Sequence, residues 1–321
     1  MPNYHVCDFT VESNIEFPIH AQAAERPIHL SCYRHSPRTA APFDNVWLHE
    51  RILPDGGIWL SIARTEDGYL LRFPGLADFT VSADGRRIDC HPRADIAQET
   101  INHLLLDQVI PALLAHEGEL ALHAGGVASD RGAIVFLGES GWGKSTLCAS
   151  FNQAGFPLLG DDFLLLRADG NGFAVVPSYP GLRLWPDSRA ALAWDAADTT
   201  PMAHYATKER LDPAAHGLPF RSDPASVTAL FALAPPAEGP EAERIRIQRL
   251  PPREAYMTLL NCAFQLDGSD RERNRRLFQQ IANAVDGLNI YSLAYPREMP
   301  ILPDVRAAIL THLATDQAAT A

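Results

Sequence analysis

Gly138-Glu139-Ser140-Gly141-Trp142-Gly143-Lys144-Ser145-Thr146 sets a lysine and two hydroxyls directly behind a glycine-rich stretch. The spacing satisfies G-x-x-x-x-G-K-[ST], a loop whose backbone amides wrap around nucleotide phosphates. In that pattern Lys144 reaches the β- and γ-phosphates and the Ser145 hydroxyl holds Mg²⁺. Ala133-Ile134-Val135-Phe136-Leu137, just before the loop, is a short apolar run with β-branched members, as a buried strand requires. From Lys144 no breaker interrupts the chain before Gly155, so a helix with a glycine stop is predicted. Strand, glycine loop and helix N-terminus in succession bring several N–H groups and the positive end of a helix dipole onto one anion. A glycine-rich turn that matches by chance is the alternative, and both flanks speak against it. The chain is expected to bind a nucleoside triphosphate.

A triphosphate loop needs a carboxylate for its metal and, if phosphoryl groups are transferred, another to orient or deprotonate the acceptor. Asp161 and Asp162 stand downstream, at the end of the apolar segment Phe156-Pro157-Leu158-Leu159-Gly160. Neighbouring residues of an extended chain point to opposite sides. One aspartate is therefore expected to face the γ-phosphate and acceptor and the other the metal; an acidic turn between two strands is the alternative. His123 ends the predicted strand Leu120-Ala121-Leu122-His123-Ala124, placed beside the phosphate-loop strand. A lone imidazole there is often a hydrogen-bonded core residue. Gly125-Gly126 follows it, and the missing side chains let another group come close to the backbone, which favours a role in the site.

The elements that must position these groups are legible in part. Alternation and turn signals make the first ~95 residues β-rich, with strands at Ile58–Ile62, Tyr69–Phe73, Phe79–Val81 and Ile88–Cys90. Ile101, Leu104, Leu105, Val109 and Leu113 share one face of a helix predicted from Asp95 to His116 and stopped by Gly118. The division expected is a β-rich domain over 1–94 and a catalytic domain over 95–321. Within the latter, strands are predicted at 163–166 and 173–176 around Asp169-Gly170-Asn171-Gly172, at 227–233 and at 245–247. Helices are predicted near 253–264 and 271–285, loops with short helices at 186–226, a surface loop at 235–240, and fraying over 315–321. Arg271-Glu272-Arg273-Asn274-Arg275-Arg276 mixes signs on a helix and reads as a solvated face.

With 46 % hydrophobic and 21 % charged residues the chain can bury a sizeable core. A net charge of −12 argues against a nucleic-acid partner, whose phosphates call for a basic surface. No apolar run approaches the ~20 residues that span a bilayer, so no membrane partner is expected. Met-Pro-Asn-Tyr-His-Val-Cys-Asp lacks a basic segment followed by an apolar one, so no secretion signal is read. Cys7, Cys32, Cys90, Cys148 and Cys262 are scattered and form no C-x-x-C pair; they read as reduced thiols of a cytoplasmic protein.

Three strings, Leu-His-Ala-Gly-Gly-Val, Gly-Glu-Ser-Gly-Trp-Gly-Lys-Ser-Thr-Leu and Gly-Phe-Pro-Leu-Leu-Gly-Asp-Asp, resemble the HPr serine kinase/phosphorylase family. More narrowly, the chain is similar to the HPr-kinase-like proteins found beside peptide-maturation genes, the lasso-peptide kinases among them. The resemblance covers about residues 95 to 300 and is strongest between 120 and 165. It implies an α/β (α+β) chain whose P-loop kinase domain has the fold shared with phosphoenolpyruvate carboxykinase, with a smaller β-rich N-terminal domain. It implies ATP and Mg²⁺, with Lys144 on the phosphates, Ser145 on the metal, and His123 near the γ-phosphate. Asp161 becomes the acceptor base, and Asp162 its partner in holding the metal or orienting the base. HPr kinases carry Glu directly after the loop serine, where this chain has Thr146, and their later Arg-Gly signature is not found. The peptide-tailoring branch instead shows a Tyr-Pro-x-Leu-Arg-Leu-Trp-Pro-like segment and a later Lys-x-Arg, matched here by Tyr179–Pro186 and by Lys208-Glu209-Arg210.

Phosphoryl transfer also needs cations to offset charge on the transferring oxygens. Arg183, Lys208 and Arg210 are the candidates, ordinary solvated bases being the alternative. Trp142 is bulky among glycines and either covers the phosphates or contacts a peptide, or is an exposed spacer. The leading expectation is an ATP-dependent kinase acting on a serine of a peptide or small protein. A transport ATPase shares the loop wording but carries a Leu-Ser-Gly-Gly-Gln-like signature that is not found here. A nucleotide sensor without transfer and a small-molecule kinase stay open. HPr kinases assemble into hexamers, so the resemblance allows a homo-oligomer.

Overall fold

Ile134 and Phe136 turn to one face of their strand and Val135 and Leu137 to the other, and each pair enters a different apolar cluster. That period of two, repeated in neighbouring strands, lets helices cover both faces of a sheet. The computed structural model describes all residues except 24–26, 42, 44–45, 54, 171, 196–198, 204–205, 236–243 and 321, and the side chains of 214 and 317–320. It is a mixed α/β chain with several sheets, dividing into two compact units.

The first unit comprises residues 1–119, 202–206 and 264–276. Its sheet is built from β1 (Asn3–Val6), β2 (Phe9–Ser13), β3 (Ile28–Arg34), β4 (His49–Ile52), β5 (Ile58–Thr65), β6 (Gly68–Phe73), β7 (Ala77–Ser82) and β8 (Arg87–Pro92). The order is β1-β2-β3-β8-β7-β6-β5-β4, antiparallel except where β3 lies parallel to β2 and β8. The four predicted strands all form. The predicted helix runs as α1 (Gln98–Leu104) and α2 (Ile110–Glu117), joined by a π-helical stretch Leu105–Val109. Gly118 closes it at φ +107. This helix groups with the first unit, so the unit extends to Glu119 and does not stop at residue 94. The contacts explain why: Glu117 meets His29 at 2.7 Å, Arg34 meets Gln98, and the His116 ring packs edge-on against Tyr69.

The second unit comprises residues 120–201, 207–263 and 277–321. Its elements are β9 (Leu120–Leu122), β10 (Ala124–Ser129), β11 (Gly132–Leu137), α3 (Lys144–Gln153), β12 (Leu158–Gly160), β13 (Leu164–Asp169) and β14 (Gly172–Val176). Then come β15 (Leu182–Leu184), α4 (Pro186–Ala191), β16 (Thr199–Ala203), β17 (Ala206–Leu211), β18 (Ala225–Leu233), β19 (Arg246–Arg249), α5 (Pro252–Cys262), α6 (Arg271–Gly287), β20 (Ile290–Ala294) and α7 (Leu302–Thr320), with 202–203 of β16, Ala206 of β17 and 271–276 of α6 counted in the first unit. The main sheet runs β12-β10-β11-β18-β14-β13-β9, and β20 continues from β18 with β19 beyond it. β11, β18 and β20 are mutually parallel and in register, so they end together at Leu137, Leu233 and Ala294. One face carries Leu147, Phe151, Val305 and Ile309 of α3 and α7; the other carries Ala255, Leu259, Ile281 and Ala284 of α5 and α6.

Several expectations change. β9 pairs with β13, and it is β10 that lies beside β11, so His123 sits at the switch between two strands and not at the end of one flanking the loop strand. Residues 186–226 hold strands β16 and β17 as well as short helices, because Leu182 and Leu211 pair across β15 and β17 and bury together. Strand β20 and the long helix α7 were not anticipated, and helix continues to Thr320 through the stretch expected to fray. The β13–β14 hairpin forms, with Asp169 opposite Gly172; Asn171 lies outside the described residues, as do 236–240 of the predicted surface loop. Among the described residues no helix is long and apolar enough to cross a membrane. None of the five cysteines is paired in a disulfide, and all but Cys7 are buried.

Phe136 is fully buried between Phe151 and Phe231, with ring centroids 5.7 and 6.3 Å away. Phe136→Ala is expected to lower unfolding free energy by ~3–5 kcal/mol through cavity formation, measurable by chemical denaturation. A loss under ~1 kcal/mol would show that α3 is not packed on this strand.

Candidate active site

The loop after β11 turns into α3 through Gly143, whose φ of +94 only glycine adopts without strain. A Cβ there would also stand 3.0 Å from the Tyr295 hydroxyl. α3 then anchors itself by Leu147, Cys148, Ala149 and Phe151, all fully buried, so its first turn is held rigidly at the end of the sheet. A cavity of about 240 Å³ opens there. Ser140, Gly141, Trp142, Gly143, Lys144, Ser145 and Thr146 line it, whereas Gly138 and Glu139 do not. Those two serve the lysine instead: Lys144 Nζ donates to Gly138 O at 2.7 Å and to Glu139 O at 3.1 Å.

The third partner of Lys144 is His123. Its Nδ1 lies 2.8 Å from the Asp162 carbonyl, which can only accept, so Nδ1 carries the proton. Nε2 is then a lone pair and accepts from Lys144 Nζ at 3.1 Å. Burial, then the Lys144 charge, push the His123 pKa down to about 4, against the opposing pull of Asp162. Burial likewise lowers the Lys144 pKa, with both aspartates pulling it back up. Every Lys144 hydrogen is already engaged, so an arriving phosphate must exchange with one of these three acceptors.

Asp161 is 1 % exposed. Its Oδ1 accepts from Ser145 Oγ at 2.9 Å and its Oδ2 from the Arg183 amide at 2.9 Å. Burial first, and the charge of Asp162 second, raise its pKa, opposed by Arg183. Gly125 makes this fit possible, since a Cβ there would lie 2.7 Å from Cys148 Sγ and 3.3 Å from Asp161 Oδ1. Asp162 takes a left-handed φ of +75, so the pair is not extended chain and the two carboxylates end up near one another. Asp162 lines the cavity and Asp161 does not. Asp161, expected to face the acceptor, has both of its oxygens bonded inside the protein.

Arg183, 3 % exposed, holds the pair together. Its Nε meets Asp162 Oδ2 at 2.9 Å, Nη1 donates to the Asp161 carbonyl at 3.2 Å, and Nη2 donates to the Tyr179 hydroxyl. Lys208 also lines the cavity, its Nζ 5.5 Å from the Trp185 ring centre. No carboxylate among the described residues pairs with it, so it is the lining cation whose charge is least compensated. Arg210, expected beside it, is turned away: Nη2 donates to Pro180 O at 2.8 Å and the residue does not line the cavity. Residues two apart on a strand share a face, so Lys208 and Arg210 are expected together; here the Pro180 carbonyl takes the Arg210 arm, which lies where a Cβ on Gly181 would stand.

A hydroxyl and two carboxylates are hard oxygen donors of the kind Mg²⁺ takes, and a buried carboxylate with a raised pKa gains by meeting a cation. Ser145, Asp161 and Asp162 therefore fit a divalent metal. Sequence reading missed the far wall, Tyr295, Arg297, Glu298, Met299 and Leu302, and also Asp187 and Ser188. The available signal was the apolar run Ile290–Leu293 leading into Tyr295-Pro296-Arg297, since ligands gather beyond the carboxyl ends of parallel strands.

No protein-family model and no curated protein matches this chain. Among solved structures it is similar to the Hpr(Ser) kinase/phosphatase from Coxiella burnetii, with 17 % identity over 62 % of this chain and 96 % of that one, at a TM-score of 0.32. So distant a likeness says nothing about chemistry.

An imidazole whose pKa falls on folding contributes stability that is complete above its ordinary value of 6.5 and is lost as pH drops toward about 4. NMR titration is expected to find His123 neutral until about pH 4. His123→Gln should flatten the loss of stability through that window. A ring that titrates at its ordinary value would contradict the Lys144–His123–Asp162 chain.

Proposed function

We propose that the chain is a Mg·ATP-dependent kinase that phosphorylates a serine hydroxyl of a peptide or small protein. One observation carries the reading. The aspartate pair meets the same helix N-terminus as the glycine loop, with Asp161 on Ser145 and Asp162 lining the cavity beside Lys144 and Lys208. Loop amides and Lys144 bind the triphosphate, and Lys208 offsets charge that spreads over the transferring oxygens. Ser145, with the Asp161 carboxylate behind its hydroxyl, would hold Mg²⁺, which would supply further neutralisation of the triphosphate charge. Asp162 accepts the proton of the incoming hydroxyl, whose oxygen bonds to the γ-phosphorus as the β–γ bridging P–O bond breaks and ADP leaves. Arg183 keeps Asp162 aimed at the cavity. This assignment reverses the two aspartates relative to the family resemblance, because Asp161 would have to abandon Ser145 and the Arg183 amide to reach an acceptor. The peptide acceptor and a cytoplasmic setting rest on the resemblance to peptide-tailoring kinases, and cysteines without disulfides suit that setting.

The test is transfer of label from γ-³²P-ATP to serine peptides with Mg²⁺. Asp162→Asn is expected to cut the rate by ~10²–10⁴-fold, the usual worth of a positioned base. Lys144→Met should abolish tight nucleotide binding. Nucleotide binding with no transfer to any hydroxyl acceptor would instead make the protein a sensor. Full activity in Asp162→Asn would refute the assignment of the base.

A further inference from the structure

We infer that Arg297 is a positioning residue for the phosphate loop, fixing the peptide between Trp142 and Gly143 so that an amide, and not a carbonyl, is offered to the anion. The inference rests on reading 138–146 as a triphosphate cradle and goes beyond it, since Arg297 belongs to no part of that motif.

Parallel β11, β18 and β20 end side by side, and each releases a loop at the same edge of the sheet. Arg297, three residues beyond Ala294 at the end of β20, ties the other two together. Its Nη1 donates to the Trp142 carbonyl at 2.6 Å, inside the glycine loop, and its Nη2 donates to the Ala234 carbonyl just after β18. The guanidinium lies over the Tyr295 ring, 4.3 Å from its centre. Tyr295 and Arg297 also form the wall against which Gly143 packs, since a Cβ on that glycine would meet the Tyr295 hydroxyl at 3.0 Å and Arg297 Nη1 at 3.2 Å.

Arg297 Nε is buried and has no partner among the described residues. Burying an unsatisfied donor is costly, so a side chain needed only to fill this space would be cheaper as methionine. The two carbonyl bonds are what the guanidinium provides in return. They matter because a glycine-flanked peptide flips easily, and Gly143 is free to take either sign of φ. The carbonyl and the amide of one trans peptide point in opposite directions. Without a tether the Trp142 oxygen can swing toward the site and set a partial negative charge against phosphate. With both nitrogens engaged that flip is blocked, and the Gly143 amide stays aligned with the first turn of α3. The guanidinium reaches the two carbonyls with separate nitrogens held in one plane, whereas a lysine at this position offers a single nitrogen on a shorter arm.

The experiment measures binding by calorimetry of two probes, Mg·AMP-PNP and Mg·pyrophosphate, to the wild-type chain, Arg297→Lys and Arg297→Met, beside melting temperatures without ligand. Both variants are expected to bind both probes about tenfold or more weakly, as loss of charge-assisted hydrogen bonds predicts. The fold-change should be the same for the two probes, with ligand-free melting within a few degrees of wild type. Wild-type affinity in Arg297→Lys would show that charge alone suffices and overturn the inference. So would a loss confined to the nucleotide, which would move Arg297 to the base, or failure of both variants to fold, which would make its role purely structural. A wild-type chain that binds neither probe would instead bring down the cradle itself, a result distinct from unaltered binding in the variants.

Discussion

Two adjacent aspartates, one buried and one at the wall of a cavity, repel each other and lose water, so they persist only where donors surround them. Asp161 and Asp162 are in that position, and much of the second unit is arranged around them. Ser145 and the Arg183 amide take one carboxylate, while the Arg183 guanidinium takes the other and reaches back to the Asp161 carbonyl. Tyr179 then braces Arg183 from below, its ring 5.3 Å from the guanidinium carbon and its hydroxyl accepting Nη2. Removing one member of such a network usually costs ~3–5 kcal/mol, because a charge is left buried without its partner. A fold does not keep that liability merely to fill space, and apolar residues of the same volume pack a core at no such risk. The pair is therefore best understood through what it faces.

What it faces is a division of labour among cations. Lys144 is held by two loop carbonyls and a neutral imidazole, Arg183 is spent on the aspartates, and Lys208 has no carboxylate partner among the described residues. The first is pre-aimed, the second orients, and the third has charge to give. All three project from ordered elements: α3 follows β11 of the main sheet, while Arg183 in β15 and Lys208 in β17 come from neighbouring strands of a separate three-stranded sheet.

The glycine loop, its strand and its helix were legible because each depends on local rules: an apolar run, glycines where φ is positive, and no breaker until Gly155. The aspartate pair was legible as a pair, but not in its orientation. That depended on the left-handed φ of Asp162, which has no signature in an Asp-Asp dipeptide. His123 was found for a partly mistaken reason, since its strand pairs with β13 and not with the loop strand. Arg210 is equivalent to Lys208 by spacing, but the Pro180 carbonyl takes it away from the cavity. The wall from Tyr295 to Leu302 was out of reach, because only the parallel pairing of β18 with β20 brings it to the loop, and pairing over that separation is a tertiary fact. The helix at 98–117 was legible almost to its ends, but its grouping with the first unit rests on contacts made after folding.

The central claim is that one carboxylate of the pair serves the metal and the other the acceptor, at the mouth of a glycine cradle. A crystal structure with AMP-PNP and Mn²⁺ standing in for Mg²⁺ tests it most directly. The account predicts an anomalous peak ~2.0–2.2 Å from Ser145 Oγ, close to Asp161, with the γ-phosphate directed toward the Asp162 carboxylate. Phosphates seated away from the amides of Gly141 to Ser145, or an Asp162 carboxylate turned from the terminal phosphate, would contradict it.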